Sequence, residues 1–293
     1  MKVLNFGSLN YDYVYQVDHA VMPGETIASR SMETFSGGKG LNQSIALAKA
    51  GADVYHAGMV GKDGDMLIAT LKENMVDTSL IEVTEGKSGH AIIQLDKNAQ
   101  NCILLFGGAN RAMTREYIDR VIATFEKGDI LLLQNEINLL DYIIDRAYEQ
   151  GMCIVLNPSP LDDALGACDL SKVSIFLLNE IEGGQISGET KPEDILTKIH
   201  ATYPNCKVVL TLGHDGSVFS DGKIQVKQSI FPVKAVDTTA AGDTFTGYFI
   251  TGLLEDMKIE DIMKRAAMAS ALAVSRMGAA PSIPFKDEVN AKL

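Results

Sequence analysis

The sequence predicts an α/β protein, a three-layer sandwich with a mainly parallel central sheet, helices on both of its faces, and a small second sheet acting as a lid. Three observations carry this expectation. From Asp53 onward, apolar runs alternate with amphipathic stretches in the βαβ manner. Twice, around residues 13–35 and 89–106, extended runs follow one another with no helix between them. Near the C-terminal end, a turn of small residues joins an extended run to a helix that carries a carboxylate in its first turn.

At 293 residues the chain is long enough for one large α/β unit with a smaller appendage. The expected boundaries are 1–10, 36–88 and 108–293 for the large unit, and 11–35 and 89–107 for the lid. Apolar residues at 46% and charged residues at 22% are ordinary for a globular protein. The formal net charge of −12 argues against non-specific nucleic-acid binding and against an anionic membrane surface. No apolar run approaches the ~20 residues that span a bilayer, and the opening apolar run meets Asn10 and Asp12 too soon for a signal peptide. A soluble, cytoplasmic protein is expected. Cys102, Cys153, Cys168 and Cys206 have no Cys-x-x-Cys spacing and read as buried, reduced thiols. The five histidines are equally scattered, and no zinc site is expected.

Taken in order, Val3 to Gly7 reads as a buried strand that ends in Ser8-Leu9-Asn10-Tyr11-Asp12. Asn10 and Asp12 are then placed either to grip hydroxyls at a strand's carboxyl end or simply to cap a turn. Tyr13–Val17, Thr26–Phe35, Gly89–Leu95 and Asn101–Phe106 form the two extended pairs of the lid. Between the pairs, Ser36-Gly37-Gly38-Lys39-Gly40-Leu41-Asn42-Gln43 runs into a helix over Ser44–Ala50. This segment fails both the P-loop and the Gly-x-Gly-x-x-Gly templates. Its glycines suit close approach of a polyol, with Lys39 and Asn42 bonding to it, or a plain turn into the helix.

Strands over Val54–Val60, Ile130–Gln134 and Cys153–Leu156 alternate with helices over Gly64–Met75, Thr114–Phe125 and Leu139–Gln150. Several strand ends carry polar residues: Gln134-Asn135-Glu136, Asn157-Pro158-Ser159, Asn179-Glu180-Ile181-Glu182 and Thr211-Leu212-Gly213. In a parallel sheet those ends lie on one rim, so together they read as a binding cleft. A last long helix, Ile259–Met277, has Ala266, Ala269 and Ala273 on one side, either for close packing or to leave room for a flat ring.

The extended run Ile230–Val236 leads into Asp237-Thr238-Thr239-Ala240-Ala241-Gly242-Asp243-Thr244. The first N–H groups of a helix lack intrahelical partners, and small side chains let a phosphate reach them. Asp243 beside such a cradle is placed as a base for phosphoryl transfer to an alcohol.

Together with Pro23-Gly24-Glu25-Thr26, Gly108-Ala109-Asn110 and Ser282-Ile283-Pro284, these motifs resemble the ribokinase-like sugar kinases, the PfkB family, over nearly the whole chain. The resemblance implies a Rossmann-like domain with a β-sheet lid, and transfer of the ATP γ-phosphoryl group to the primary hydroxyl of a furanose, with D-ribose first and another furanose or a nucleoside as alternatives. A sugar-sensing protein on the same fold is the non-enzyme alternative. By motif, Asp243 is the base, and the amides of Ala241, Gly242 and Asp243 form the anion hole. Asn10, Asp12, Gly38, Lys39, Asn42 and Glu136, together with Asp243 itself, hold the sugar. Asn179, Thr211, Gly213, Gly216 and Gly242 line the ATP site, with Glu182 near magnesium. A potassium site involves Asp237, Thr239, Ala273, Arg276, Gly278 and Ser282. Apart from the resemblance, the exposed face and edges of the lid sheet need cover, so a homodimer formed through the lid is expected. Tyr11 and Leu41 depart from the family pattern, and either could reshape the sugar pocket.

Overall fold

The structure is a computed structural model describing residues 1–98 and 100–293. The chain opens with β1 (Val3–Phe6), β2 (Asn10–Gln16), β3 (Ser31–Gly37), α1 (Lys39–Ala50), β4 (Val54–Val60), α2 (Asp65–Glu73), β5 (Asp77–Val83), β6 (Gly89–Leu95) and β7 (Asn101–Phe106). Alternation then takes over with α3 (Arg115–Ile122), β8 (Ile130–Gln134), α4 (Leu140–Gln150), β9 (Cys153–Asn157), β10 (Ile175–Asn179), α5 (Glu180–Ser187), α6 (Pro192–Thr202) and β11 (Lys207–Thr211). It closes with β12 (Ser217–Ser220), β13 (Gln225–Gln228), α7 (Ala241–Leu254), α8 (Ile259–Val274) and α9 (Lys286–Asn290).

The large sheet runs β13-β12-β11-β10-β9-β8-β1-β4-β5. Its pairings are parallel except for β11 with β12 and β12 with β13. Strands buried on both faces need apolar residues at successive positions, which is why β8 reads Ile-Leu-Leu-Leu. Alternate residues then go to opposite cores. Leu132, Val155, Ile175 and Val209 join Leu41 and Ile45 of α1, Tyr248 and Phe249 of α7 and Ala266 and Ala269 of α8. Leu131, Leu133, Leu156 and Phe176 join Tyr117 of α3, Ile143 and Ile144 of α4 and Ile195 and Ile199 of α6. The result is helix, sheet, helix. Between the two readings of the alanine face of α8, close packing holds for Ala266 and Ala269, which are fully buried in the core with α7.

A separate four-stranded sheet has the order β3-β2-β6-β7. Its connections place it at the carboxyl-end rim, because β2 leaves the end of β1 and β3 leads into α1.

Several local expectations are corrected. Residues 230–236 form no strand; Pro232 lacks an N–H, and the N–H groups of Val236 and Asp237 both donate to Val274 O instead of to a neighbouring strand. Helix α1 starts at Lys39, five residues before the predicted Ser44, because Asn42, Gln43 and Ser44 are polar yet buried and so hide the apolar period. β3 begins at Ser31 instead of Thr26, and α8 ends at Val274 instead of Met277. Asn10 and Asp12 belong to β2 and not to a loop, since the backbone from Asn10 onward pairs with both β3 and β6. Of the cysteines only Cys206 is buried; Cys102 is exposed on β7, every residue of which is exposed.

Candidate active site

The carboxyl ends of the parallel strands meet on one rim, and register aligns their polar residues. Gln134 at the end of β8 stands opposite Asn157 of β9, and Asn179 of β10 opposite Thr211 of β11. Facing them is the start of α7. Ala240 precedes that helix in the left-handed region, with φ of 59°, and turns the chain so that the helix N-terminus points its amides outward. Among the described residues the N–H groups of Gly242 and Asp243 have no hydrogen-bond acceptor, whereas Ala241 N–H already donates to Thr238 O at 3.3 Å. A side chain at Gly242 would enter open space.

A cavity of about 220 Å³ lies between these parts. It gathers Lys39, Asn179, Glu182, Thr211, Ala241, Gly242 and Asp243 of the predicted site residues. Asn157, Leu177, Leu178, Thr238, Ala240, Phe245 and Thr246 complete its wall. Leu177, Leu178, Phe245 and Thr246 were not foreseen, because an apolar or hydroxyl residue in a strand or helix carries no signal in sequence that separates cavity wall from core.

Asp243 is buried, and its two oxygens each accept from a neutral amide: Asn42 Nδ2 at 3.2 Å and Gln43 Nε2 at 2.9 Å. Asn42 Oδ1 is buried without a partner. Burial pushes the Lys39 ammonium down, but the carboxylates of Asp243, Glu136 and Glu182 together more than offset this and raise it, so Lys39 is charged. Glu182 closes a capping box at the start of α5: its oxygens accept from Asn179 N at 2.9 Å and Asn179 Nδ2 at 2.9 Å.

The predicted sugar residues adjoin this cavity through Lys39. Glu136 accepts from Lys39 N at 3.1 Å and from the Ser8 hydroxyl, and burial raises its carboxyl above the usual range. Burial, and then the charge of Glu136, raises Asp12 to about 6. Asn10 Oδ1 accepts from Asn110 Nδ2 at 2.7 Å, and Asn110 Oδ1 accepts from Leu9 N at 2.9 Å. Asn110 thereby clamps the turn into β2, a role its motif had not suggested.

The glycines serve the chain's own packing as well as any ligand. A Cβ at Gly37 would lie 2.0 Å from Asp12 Oδ2, and one at Gly40 would lie 2.3 Å from Ser8 N. Gly38 sits at φ 96° in the left-handed region. Gly213 and Gly216, predicted in the nucleotide set, flank the short turn between β11 and β12, outside the cavity wall.

Of the six residues of the predicted cation site, Asp237 and Thr239 lie in the loop before α7, Ala273 in the last turn of α8, and Arg276, Gly278 and Ser282 in the segment after it. Asp237 Oδ1 accepts from Thr239 N at 2.9 Å and Thr239 Oγ1 at 2.6 Å, and Asp237 Oδ2 accepts from Gly278 N at 2.9 Å. Burial works against this carboxylate, but these bonds outweigh it and hold it below the usual range. Ala273 O accepts from Arg276 N at 3.0 Å, the Arg276 guanidinium is engaged by Glu288, and Ser282 Oγ donates to Ala279 O at 2.8 Å.

The profile of the pfkB family carbohydrate kinases matches residues 1–286. The chain belongs to this family. It is a carbohydrate kinase, and the family match covers both sheets and the α7 loop. Among relatives of this pfkB chain, a ribokinase of Staphylococcus aureus (strain COL) is 35% identical over 300 residues, covering 99% of this chain and 98% of that protein. The ribokinase of Cryptococcus neoformans var. grubii serotype A, solved in complex with ADP, superposes with a TM-score of 0.86 at 30% identity, covering 100% of this chain and 99% of that one. The ribokinase of Arabidopsis thaliana, solved with ribose and ATP, superposes with a TM-score of 0.86 at 28% identity, covering 99% and 97%. Among the described residues no helix is long and apolar enough to cross a membrane.

Proposed function

We propose that this pfkB chain is an ATP-dependent kinase that transfers the γ-phosphoryl group to the primary 5-hydroxyl of D-ribose. The observation that carries this reading is the joining, in one cavity, of the Asp243 carboxylate, the acceptor-free amides of Gly242 and Asp243, and the Lys39 ammonium. Support also comes from the full-length likeness to ribokinases, one of them solved with ribose and ATP.

In this reading Asp243 accepts the proton of the sugar hydroxyl as its oxygen bonds to phosphorus. The amides of Gly242 and Asp243, with that of Ala241 further engaged in its turn, receive the negative charge of the phosphoryl group, and Lys39 meets it from across the cavity. Asn10, Asp12, Gly38, Lys39, Asn42 and Glu136 hold the sugar. The buried, unpartnered Asn42 Oδ1 is an acceptor suited to a hydroxyl, and Asp12 and Glu136 are acceptors suited to vicinal hydroxyls. The sugar set contains no arginine, which suits a neutral polyol better than a sugar phosphate. Asn179, Thr211, Gly213, Gly216 and Gly242 border the nucleotide.

Glu182 is an oxygen donor beside the phosphate cradle and fits magnesium, which takes one or two carboxylates and keeps several waters. When bound with the phosphates, that ion neutralises their charge. At the second predicted ion site the Asp237 carboxylate is an oxygen donor of the kind potassium takes, and several of Thr239, Ala273, Arg276, Gly278 and Ser282 would add backbone carbonyls. The one guanidinium there is already paired with Glu288. Asp237 ties Gly278 to the loop that leads to α7, so a cation held there would add positive charge behind the anion cradle.

The domain reading is a large unit of residues 1–10, 36–88 and 108–293 with residues 11–35 and 89–107 as a lid over the sugar. The lid also bears the dimer contact. Its edge strands expose Met32, Phe35, Ile103, Leu104, Leu105 and Phe106, an apolar strip that a second copy would cover.

A coupled ADP-release assay across ribose, deoxyribose, fructose and adenosine tests the substrate. Ribose is expected to give the highest kcat/KM; no turnover with ribose removes the proposal. Sedimentation of Leu104→Glu is expected to read a monomer where the wild type reads a dimer, and a wild-type monomer removes the dimer.

A further inference from the structure

Behind Asp243 runs a single file of polar side chains whose direction follows from its far end. Gly7 O can only accept, so His56 Nε2, 3.2 Å away, carries a proton. Burial pushes the His56 imidazole down to about 4, so the ring is neutral and its Nδ1 accepts from the Ser44 hydroxyl at 2.8 Å. With its proton used, Ser44 Oγ accepts from Asn5 Nδ2 at 2.8 Å, which also donates to Gly40 O at 2.8 Å. Asn5 Oδ1 therefore faces Gln134 Nε2 at 3.0 Å, and that amide donates onward to Gln43 Oε1 at 2.7 Å. Gln43 is left with one orientation, in which its Nε2 points at Asp243 Oδ1, 2.9 Å away.

The near end gives the same answer independently. Asn157 Nδ2 donates to Leu177 O at 2.9 Å, so Asn157 Oδ1 must accept from Gln43 Nε2, at 3.1 Å. Asn5, Gln43, Ser44, His56 and Gln134 are all 0% exposed. The file also strands Gln134 Oε1, which is buried with no partner. An unpaired buried acceptor is destabilising, and apolar side chains of similar size would have avoided it.

We propose that Gln43 is a positioning residue: its amide, locked by the file that ends at His56, holds the Asp243 carboxylate in the rotamer that meets the acceptor hydroxyl. This rests on Asp243 being the base of the reaction proposed above. Neither Gln43 nor Asn42 carries a charge, so the pair steers the carboxylate without neutralising it. The Gln43 side chain bonds to Asp243, Asn157 and Gln134, and to none of Asn10, Asp12, Lys39, Asn42 or Glu136, so its effect falls mainly on turnover.

Gln43→Met keeps side-chain length and volume but donates nothing to Asp243. Its kcat is expected to fall about 10- to 100-fold, while the ribose Kd by calorimetry stays within about threefold of wild type. Ser44→Ala cuts the file three links from Gln43 with almost no change in volume, and is expected to lower kcat about threefold at unchanged Kd. A folded Gln43→Met with wild-type kcat, or with kcat and ribose binding impaired in parallel, overturns the inference. If Gln43→Met does not fold, Ser44→Ala decides, and an unchanged kcat in it overturns the inference. Wild-type protein run alongside separates the two levels: no wild-type turnover overturns the kinase reading itself, whereas normal wild-type turnover with an unaffected variant overturns only the positioning role.

Discussion

The Glu136 carboxylate, two residues past the end of β8, accepts the main-chain N–H of Lys39, the first residue of α1, at 3.1 Å across 97 positions of sequence. This bond ties the rim of the large sheet to the segment that links β3 to α1. Glu136→Gln keeps an oxygen for Lys39 N–H but removes the charge that supports the Lys39 ammonium. The expected result is a ribose KM raised about tenfold or more, from the loss of roughly 1.5–3 kcal/mol of charge-assisted hydrogen bonding. Steady-state kinetics with ribose varied at saturating ATP measure it, and an unchanged KM would remove Glu136 from the sugar set.

Asp243→Asn removes the proposed base but leaves a side chain of the same shape between Asn42 and Gln43. We expect kcat to drop by about 10²- to 10⁴-fold, the usual contribution of a positioned base. Ribose binding by calorimetry should change little. Near-normal kcat would mean that another group takes the proton.

The pH dependence of sugar binding follows from Asp12. Burial and the neighbouring Glu136 raise its carboxyl from 3.8 to about 6, so the folded protein holds a proton there that the unfolded chain has already lost. The sign is therefore that this group's contribution to stability falls as pH rises from about 4 to about 6 and is level above that. Sugar hydroxyls donate to the ionised form, so binding changes the other way. From about pH 7 to about pH 5 the ribose Kd should rise by about tenfold, and Asp12→Asn should flatten that profile. A wild-type profile already flat over this range would show that Asp12 takes no hydroxyl.

Gly38→Ala places a Cβ on a residue at φ 96°, within 3.2 Å of Asn10 N and of Ser8 Oγ. Left-handed geometry costs a side-chain-bearing residue about 1–2 kcal/mol, and the crowded neighbours add to that. The urea midpoint should fall without a change in the slope of the transition. A midpoint equal to wild type would show that the loop relaxes around the new methyl group.

Replacing potassium by a large inert cation such as tetramethylammonium, at constant ionic strength, should lower kcat several-fold and leave the ribose Kd near its starting value. Unchanged turnover would sink the monovalent-cation site around Asp237.

Much of this was legible in the sequence because burial and polarity leave direct traces there. Uninterrupted apolar runs such as Ile130–Leu133 mark strands covered on both faces, and the polar residues that end them mark the rim. Ala-Ala-Gly-Asp after a turn marks a helix start open to an anion. What stayed hidden were elements whose polar residues are buried or whose apolar residues are exposed. Helix α1 was foreseen five residues short because Asn42, Gln43 and Ser44 look like surface and are core. The stretch 230–236 looked like a strand because Ile230, Val233 and Val236 are apolar, yet all three are exposed and the segment pairs with no strand. β5, β12, β13, α5 and α6 also went unforeseen.

Tyr11 and Leu41 illustrate the same limit. In sequence both stand inside sugar-site motifs. In the structure Leu41 is fully buried in the core beside Ile45, and Tyr11 is buried with its hydroxyl on Asp63 O. Successive residues of a strand face opposite ways, so Tyr11 and Asp12 cannot both look at the sugar.

The sequence by itself determined the α/β class and the family, and marked a helix start open to an anion with a carboxylate in its first turn, because those depend on local periodicity and on side-chain chemistry at short spacing. Only the tertiary structure decided which of the polar residues meet. Asp243, Gln43, Gln134, Asn5 and His56 come from five different elements, α7, α1, β8, β1 and β4, and hydrogen bonding requires approach within about 3 Å. That approach is set by parallel strand register and helix docking, neither of which is encoded in any one segment.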